Sequence, residues 1–137
     1  LDGYLHGCGD DETKFSVGAT IWHRTGDAGY LDDQNRLWLM GRCSAQIDDE
    51  DGRLYSFAIE CAANCQVGVR RAALVSHQRQ RLLVVETDGN PATLAALKKT
   101  LFWANIAEVR AVKQIPVDAR HNAKVDYPAL HDLLARD

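Results

Sequence analysis

Lys124 closes the polar run Asp118-Ala119-Arg120-His121-Asn122-Ala123-Lys124, set between Ile115-Pro116-Val117 and Val125-Asp126-Tyr127. A lysine ammonium is a compact point charge on a long stem and can reach outward from a surface loop. Held between two anions, such a charge stabilises the negative charge that develops as they react. Far upstream, Trp22-His23-Arg24-Thr25-Gly26-Asp27 places a carboxylate directly after a Thr-Gly step. An ionised carboxylate only accepts hydrogen bonds, through two oxygens. Arg42 follows Gly41 at the end of the apolar run Leu37-Trp38-Leu39-Met40. Each residue by itself has a plainer reading: a lysine in a polar loop is solvated surface, and an aspartate beside a glycine caps a turn.

The remaining chemistry-bearing types point elsewhere. The four cysteines Cys8, Cys43, Cys61 and Cys65 lack the paired C-x-x-C spacing of a zinc site, so no metal site is expected. They read as buried or half-buried thiols packing as small apolar groups. Trp22, Trp38 and Trp103 with Phe57 and Phe102 follow strand and helix faces, which favours packing over a ligand box. With 137 residues, 46% hydrophobic and 26% charged, the chain fits one globular domain. A net charge of -3 provides no basic field for nucleic acid. No apolar run approaches the roughly 20 residues of a membrane span and no leader opens the chain, so a cytoplasmic location is expected. Leu1 in place of Met suits a fragment, an engineered piece or a processed product better than a natural gene start.

These residues need elements to position them. Residues 1–15, rich in Gly and Asp, read as loop. Tyr30-Leu31 and Arg36 to Met40 read as strands around the polar turn Asp32-Asp33-Gln34-Asn35, closed by Gly41-Arg42. From Ser56, as N-cap, the spacing predicts a helix with Phe57, Cys61 and Cys65 at i, i+4 and i+8. Val69 to Ser76 and Leu82 to Thr87 predict an antiparallel pair joined by His77-Gln78-Arg79-Gln80. Asn90 as cap and Pro91 at the first position open a second helix bearing Leu94, Leu97, Leu101 and Phe102. A strand follows from Glu108 to Ile115, and Pro128 opens a last helix with an inward stripe of Leu130, Leu133 and Leu134. The expected fold class is α+β, a small sheet covered by helices.

Taken together, Thr25-Gly26-Asp27, Gly29-Tyr30-Leu31, Leu37 to Arg42 and the Pro116 to Lys124 loop resemble segments of acyl-adenylate-forming enzymes. These are the superfamily of acyl-CoA synthetases, peptide-synthetase adenylation domains and luciferases. The resemblance runs from about Gly3 to the end and covers only the last part of such an enzyme. It implies that residues 1–42 are a β-hairpin tail of the large adenylate-forming domain and that 43–137 form a C-terminal lid. It further implies that Lys124 is the catalytic lysine, acting between the ATP α-phosphate and a substrate carboxylate. Asp27 would accept from the ribose hydroxyls, with Thr25 and Arg42 beside it, Arg24 as a structural neighbour, and Ser44 as the pivot of the lid. The implied cofactors are ATP and Mg2+, held mainly by a large N-terminal domain. The implied partners are that domain and a small carboxylic acid, with no nucleic acid. The isolated chain is expected to be inactive and able to self-associate.

The sequence departs from the family pattern in three places. Ala123 stands where the lysine loop usually has glycine, and Ser44 where the pivot is usually Asp or Lys. Gln46-Ile47 is followed by Asp48-Asp49-Glu50-Asp51-Gly52 rather than by a basic residue and glycine. Carboxylates facing CoA would repel its phosphates, which leaves CoA open as a cofactor. Asp51-Gly52-Arg53-Leu54-Tyr55 and Arg120-His121-Asn122-Ala123-Lys124 resemble the olefin β-lactone synthetase branch, which spends its acyl-adenylate on a β-hydroxyl and needs no CoA. A fatty or hydroxy-fatty acid is then the expected substrate. His121 reads either as a phosphate or substrate contact or as a loop histidine bonded to backbone. The competing functions are a stand-alone interaction or regulatory domain derived from such a lid, and a metal or redox module built on the cysteines.

Overall fold

Two apolar runs with a tight connection organise the chain. In the computed structural model, which describes residues 13–118 and 124–136, strand β7 (Arg71–His77) pairs antiparallel with β8 (Gln80–Glu86). His77 lies opposite Gln80, and the intervening Gln78 and Arg79 adopt φ of 51° and 63°, the left-handed pair that matches strand twist in a two-residue hairpin. Strand β9 (Glu108–Val112) runs parallel to β8, so the order is β7-β8-β9. Alternate residues serve opposite faces. Ala72, Leu74, Leu83 and Val85 pack with helices α1 (Ser56–Asn64) and α2 (Pro91–Thr100), whereas Ala73, Val75, Leu82 and Val84 pack with Ile115 and helix α3 (Tyr127–Leu134). Both faces are covered, which is why these strands read as continuous apolar runs. The result is a small α+β unit.

The helix starts follow their local chemistry. The Asn90 side chain accepts from Ala92 N–H at 2.9 Å and Pro91 opens α2; the Asp126 side chain accepts from Ala129 N–H at 3.0 Å at the start of α3. Helix α1 differs from the sequence expectation. Ser56 is not a side-chain cap but a buried first-turn residue after Tyr55, and the buried stripe is Ser56, Ile59 and Ala63. Phe57, Cys61 and Cys65 face outward. The small residues let α1 lie close to its neighbours: a side chain on Gly41 would meet Phe57 N at 3.3 Å and Ser56 Oγ at 3.4 Å.

Among the described residues upstream of the three-stranded sheet lie three hairpins. The pair β1 (Lys14–Val17) and β2 (Thr20–His23) turns at Gly18, φ 61°, and was not evident from the sequence, which reads as loop through Phe15. Neither strand is buried on one face, so no alternation marks it. The pair β3 (Asp27–Leu31) and β4 (Leu37–Arg42) is held at its turn by Asp32. That carboxylate accepts from Trp38 Nε1 at 2.8 Å, Arg36 N and Gln34 N at 2.9 Å, and Arg36 Nε at 2.7 Å, with the Trp38 bond foremost in lowering its pKa to about 2. The third hairpin, β5 (Ile47–Asp49) with β6 (Gly52–Leu54), is clasped to β8 by Arg81. This buried guanidinium binds both Asp49 oxygens at 2.6 and 2.7 Å and also the carbonyls of Ala104 and Gly52. Arg81 thereby lowers the Asp49 pKa, and Arg53 pairs Asp48 at 2.8 Å, so two of the four consecutive carboxylates are neutralised locally.

Several packing expectations are overturned. Trp22, Trp38, Trp103, Phe57 and Phe102 are all exposed, Phe102 by 77%. Among the described cysteines, Cys43, Cys61 and Cys65 are exposed and free rather than packed. Among the described residues no helix is long and apolar enough to cross a membrane.

Candidate functional site

A cleft of about 670 Å³ opens where the β3–β4 hairpin, the 3-10 turn Cys43–Ala45, α1, the start of β7 and the segment leading into α3 meet. Asp27, Arg42, Ser44 and Lys124 all border it. Residues from the two ends of the chain are thus gathered at one opening.

Asp27 begins β3 directly opposite Arg42, the last residue of β4. Arg42 Nε lies 3.1 Å from Asp27 Oδ1, and Arg42 NH1 donates to the Thr25 carbonyl at 2.7 Å. The Asp27 N–H donates to Thr25 Oγ1 at 3.2 Å, and the Cys43 N–H to the Gly26 carbonyl at 2.9 Å. Gly26 has φ 74°, a conformation open to glycine, so the Thr-Gly-Asp turn is latched to the end of β4 by side chain and backbone together. Asp27 and Arg42 keep 35% and 48% of their side chains exposed, which leaves the pair accessible and its ion pair weak. Ser44 sits in the exposed turn directly after Arg42. Arg24 lies elsewhere, with its guanidinium 5.2 Å from the Phe15 ring centre.

Lys124 is exposed and anchored by its backbone. Its N–H approaches Asp118 Oδ1 at 3.4 Å, its carbonyl accepts from Asp118 N–H at 2.9 Å, and Val117 and Val125 form an antiparallel bridge beside it. Among the described residues its ammonium has no hydrogen-bond or ion-pair partner. Arg120, His121, Asn122 and Ala123 lie outside the described residues.

Three cleft residues escaped the sequence reading: Glu60, Arg71 and Tyr127. Glu60 is the sole charge within the α1 sequence Ser56-Phe57-Ala58-Ile59-Glu60-Cys61-Ala62-Ala63-Asn64, a signal that was available. Burial pushes its carboxyl above the ordinary range, against opposing hydrogen bonds from Leu74 N–H and Tyr127. Burial and the neighbouring Glu60 also raise the Tyr127 hydroxyl. Among the described residues no group of three His, Cys, Asp or Glu side chains is placed to hold a metal ion.

No family model matches the chain. Known proteins do. The olefin beta-lactone synthetase of Xanthomonas campestris pv. campestris is 37% identical over 119 residues, taking in 77% of this chain and 21% of the relative. The enzyme of the same name from Stenotrophomonas maltophilia is 32% identical, over 83% of this chain and 23% of its own. The 2-succinylbenzoate--CoA ligase of Listeria monocytogenes is 29% identical, over 84% and 25%. The chain therefore spans about a fifth to a quarter of the length of these relatives. Among solved structures, the amide bond synthetase McbA of Marinactinospora thermotolerans superposes with a TM-score of 0.74 at 24% identity, over 96% of this chain and 28% of that one. That likeness shows the fold. The chain belongs to the AMP-binding, acyl-adenylate-forming superfamily, as a C-terminal domain of it.

Proposed function

We propose that the chain is the C-terminal part of an ATP-dependent ligase that activates a carboxylic acid as its acyl-adenylate. Residues 1–42 serve as the tail of a large N-terminal domain and 43–137 as a lid turning about Ser44. The observation that carries this reading is the single cleft bordered by Asp27, Arg42, Ser44 and Lys124. In the reaction a carboxylate oxygen bonds to the ATP α-phosphorus and pyrophosphate leaves. Both reactants are anionic, so the Lys124 ammonium between them offsets the charge spread over the transition state. Asp27 accepts from the ribose hydroxyls while Arg42 and Thr25 hold it in register. Mg2+ would be held mainly by the ATP phosphates and the N-terminal domain, where it would offset phosphate charge.

The substrate proposed is a fatty or hydroxy-fatty acid, in a cytoplasmic enzyme, and the acceptor is the substrate's own β-hydroxyl. Its oxygen would attack the acyl carbonyl and expel AMP, with loss of the hydroxyl proton. Two observations support this: the relatives named olefin beta-lactone synthetase, and the acidic turn in which Glu50 and Asp51 add to the paired Asp48 and Asp49. The 2-succinylbenzoate--CoA ligase relative favours a second reading with CoA as acceptor. As an isolated piece, the chain exposes Tyr30 and Trp38 on one side of the β3–β4 hairpin and Leu31, Leu37 and Leu39 on the other, apolar surface prone to self-association.

The test compares the isolated chain with the full-length enzyme that carries it. The isolated chain catalyses no ATP–pyrophosphate exchange, whereas the full-length enzyme exchanges with a 3-hydroxy fatty acid and releases AMP without CoA. Exchange by the isolated chain, or none by the full-length enzyme with any carboxylic acid, contradicts the ligase reading. AMP release that requires CoA transfers support to the second acceptor.

A further inference from the structure

The Glu60 carboxylate links the two helical layers around an edge of the sheet. Strand β7 is an edge strand, with α1 on one face and α3 on the other. The N–H of Leu74, in the middle of that strand, donates to Glu60 Oε1 at 3.0 Å. The Tyr127 hydroxyl donates to the same oxygen, also at 3.0 Å. An edge N–H left without water or partner is costly, and one carboxylate oxygen on α1 satisfies both it and a phenol on α3. The bond between Glu60 and Tyr127 therefore clasps one layer to the other across the sheet edge.

That clasp lies next to Lys124. Tyr127 is the first residue of α3, three positions after the lysine, and between them the Asp126 N–H donates to the Pro116 carbonyl at 3.0 Å. Nothing among the described residues holds the Lys124 side chain itself, so its position depends on its backbone. On the upstream side, α1 begins against Gly41 of β4, one residue before Arg42. Glu60, Tyr127, Arg42 and Lys124 border the same cleft.

We propose that Glu60, acting through the Tyr127 hydroxyl, is the positioning residue that sets Lys124 at the cleft. This rests on the ligase reading above. Glu60 does not touch substrate; it fixes the frame from which the ammonium reaches. A conservative amide preserves the essential oxygen, because both donors use Oε1 and a glutamine carbonyl accepts from both.

The test measures ATP–pyrophosphate exchange in the full-length enzyme for Tyr127→Phe, Glu60→Ala, Glu60→Gln and the Tyr127→Phe/Glu60→Ala double variant, with Lys124→Ala alongside. Tyr127→Phe and Glu60→Ala are expected to lower the maximal exchange rate by about tenfold, the worth of one hydrogen bond to a charged group, with the KM for ATP unchanged. The double variant falls no further than Glu60→Ala, since that substitution already removes the Glu60–Tyr127 bond, and Glu60→Gln returns close to the wild-type rate. If Lys124→Ala abolishes exchange while Tyr127→Phe keeps the wild-type rate, the positioning role is wrong and the ligase reading stands. If Lys124→Ala leaves exchange intact, both fall. Thermal melting separates a folding defect: should Glu60→Ala fail to fold, Tyr127→Phe, which keeps the ring and its packing, decides alone. A loss in Tyr127→Phe that appears wholly in the KM for ATP also overturns the proposal.

Discussion

Replacing Lys124 by alanine in the full-length enzyme lowers the maximal rate of ATP–pyrophosphate exchange by about 10²- to 10³-fold, the range seen when one preorganised charge-stabilising donor is removed from a transition state. The direction follows from chemistry and the selectivity from geometry. Two anions must approach, and an uncompensated approach raises the barrier for the reaction more than for binding, so KM for ATP shifts little. The fold is expected to tolerate the change, because Lys124 is exposed and its contacts with described residues are made by backbone atoms, which alanine retains. Steady-state exchange together with a thermal melt checks both halves. A melt unchanged with exchange unchanged removes Lys124 from the reaction.

Asp27→Ala produces the complementary pattern, a KM for ATP raised by about 10- to 100-fold with a smaller effect on the maximal rate. A hydrogen bond to a charged acceptor is worth about 1.5–3 kcal/mol, and the ribose diol loses its double acceptor. The loss of the Arg42 ion pair does not account for such a change. That pair is solvent-exposed at 3.1 Å, a class worth about 0–1 kcal/mol, and Arg42 keeps its bond to the Thr25 carbonyl. Exchange measured across ATP concentrations reads the split. An unaltered KM for ATP would make Asp27 a turn residue only.

The parts of the fold legible in the sequence are those whose local and tertiary preferences agree. Val69 to Ser76 and Leu82 to Thr87 match β7 and β8 within two residues, because a sheet covered on both faces leaves unbroken apolar runs. Asn90-Pro91 and Pro128 announce their helices through chemistry that is local. Helix α1 was read onto the wrong face for an equally physical reason. Phe57, Cys61 and Cys65 fit helical spacing as well as Ser56, Ile59 and Ala63 do, and only close approach to β4 and the sheet selects the face with small residues. The exposed tryptophans and the β1–β2 hairpin failed similarly, since their partners are not fixed by nearby sequence.

The site divides the same way. Asp27, Arg42, Ser44 and Lys124 are singled out by motifs in the sequence, and all four border one cleft. Glu60 and Tyr127 were not found, because they are 67 positions apart and nothing local says that they bond. A single charge inside an apolar helix was the available sign.

Competitive acetylation of the full-length enzyme, with and without a saturating non-hydrolysable acyl-adenylate analogue and read at Lys124 by peptide mass spectrometry, asks whether the ammonium meets the bound adenylate. Strong protection of Lys124, with the remaining surface lysines such as Lys98 and Lys99 labelled as before, is the result expected of a charge delivered to the adenylate. An unchanged rate at Lys124 under saturation would show that it stays in solvent while the adenylate is bound, and the assignment of its role would be wrong.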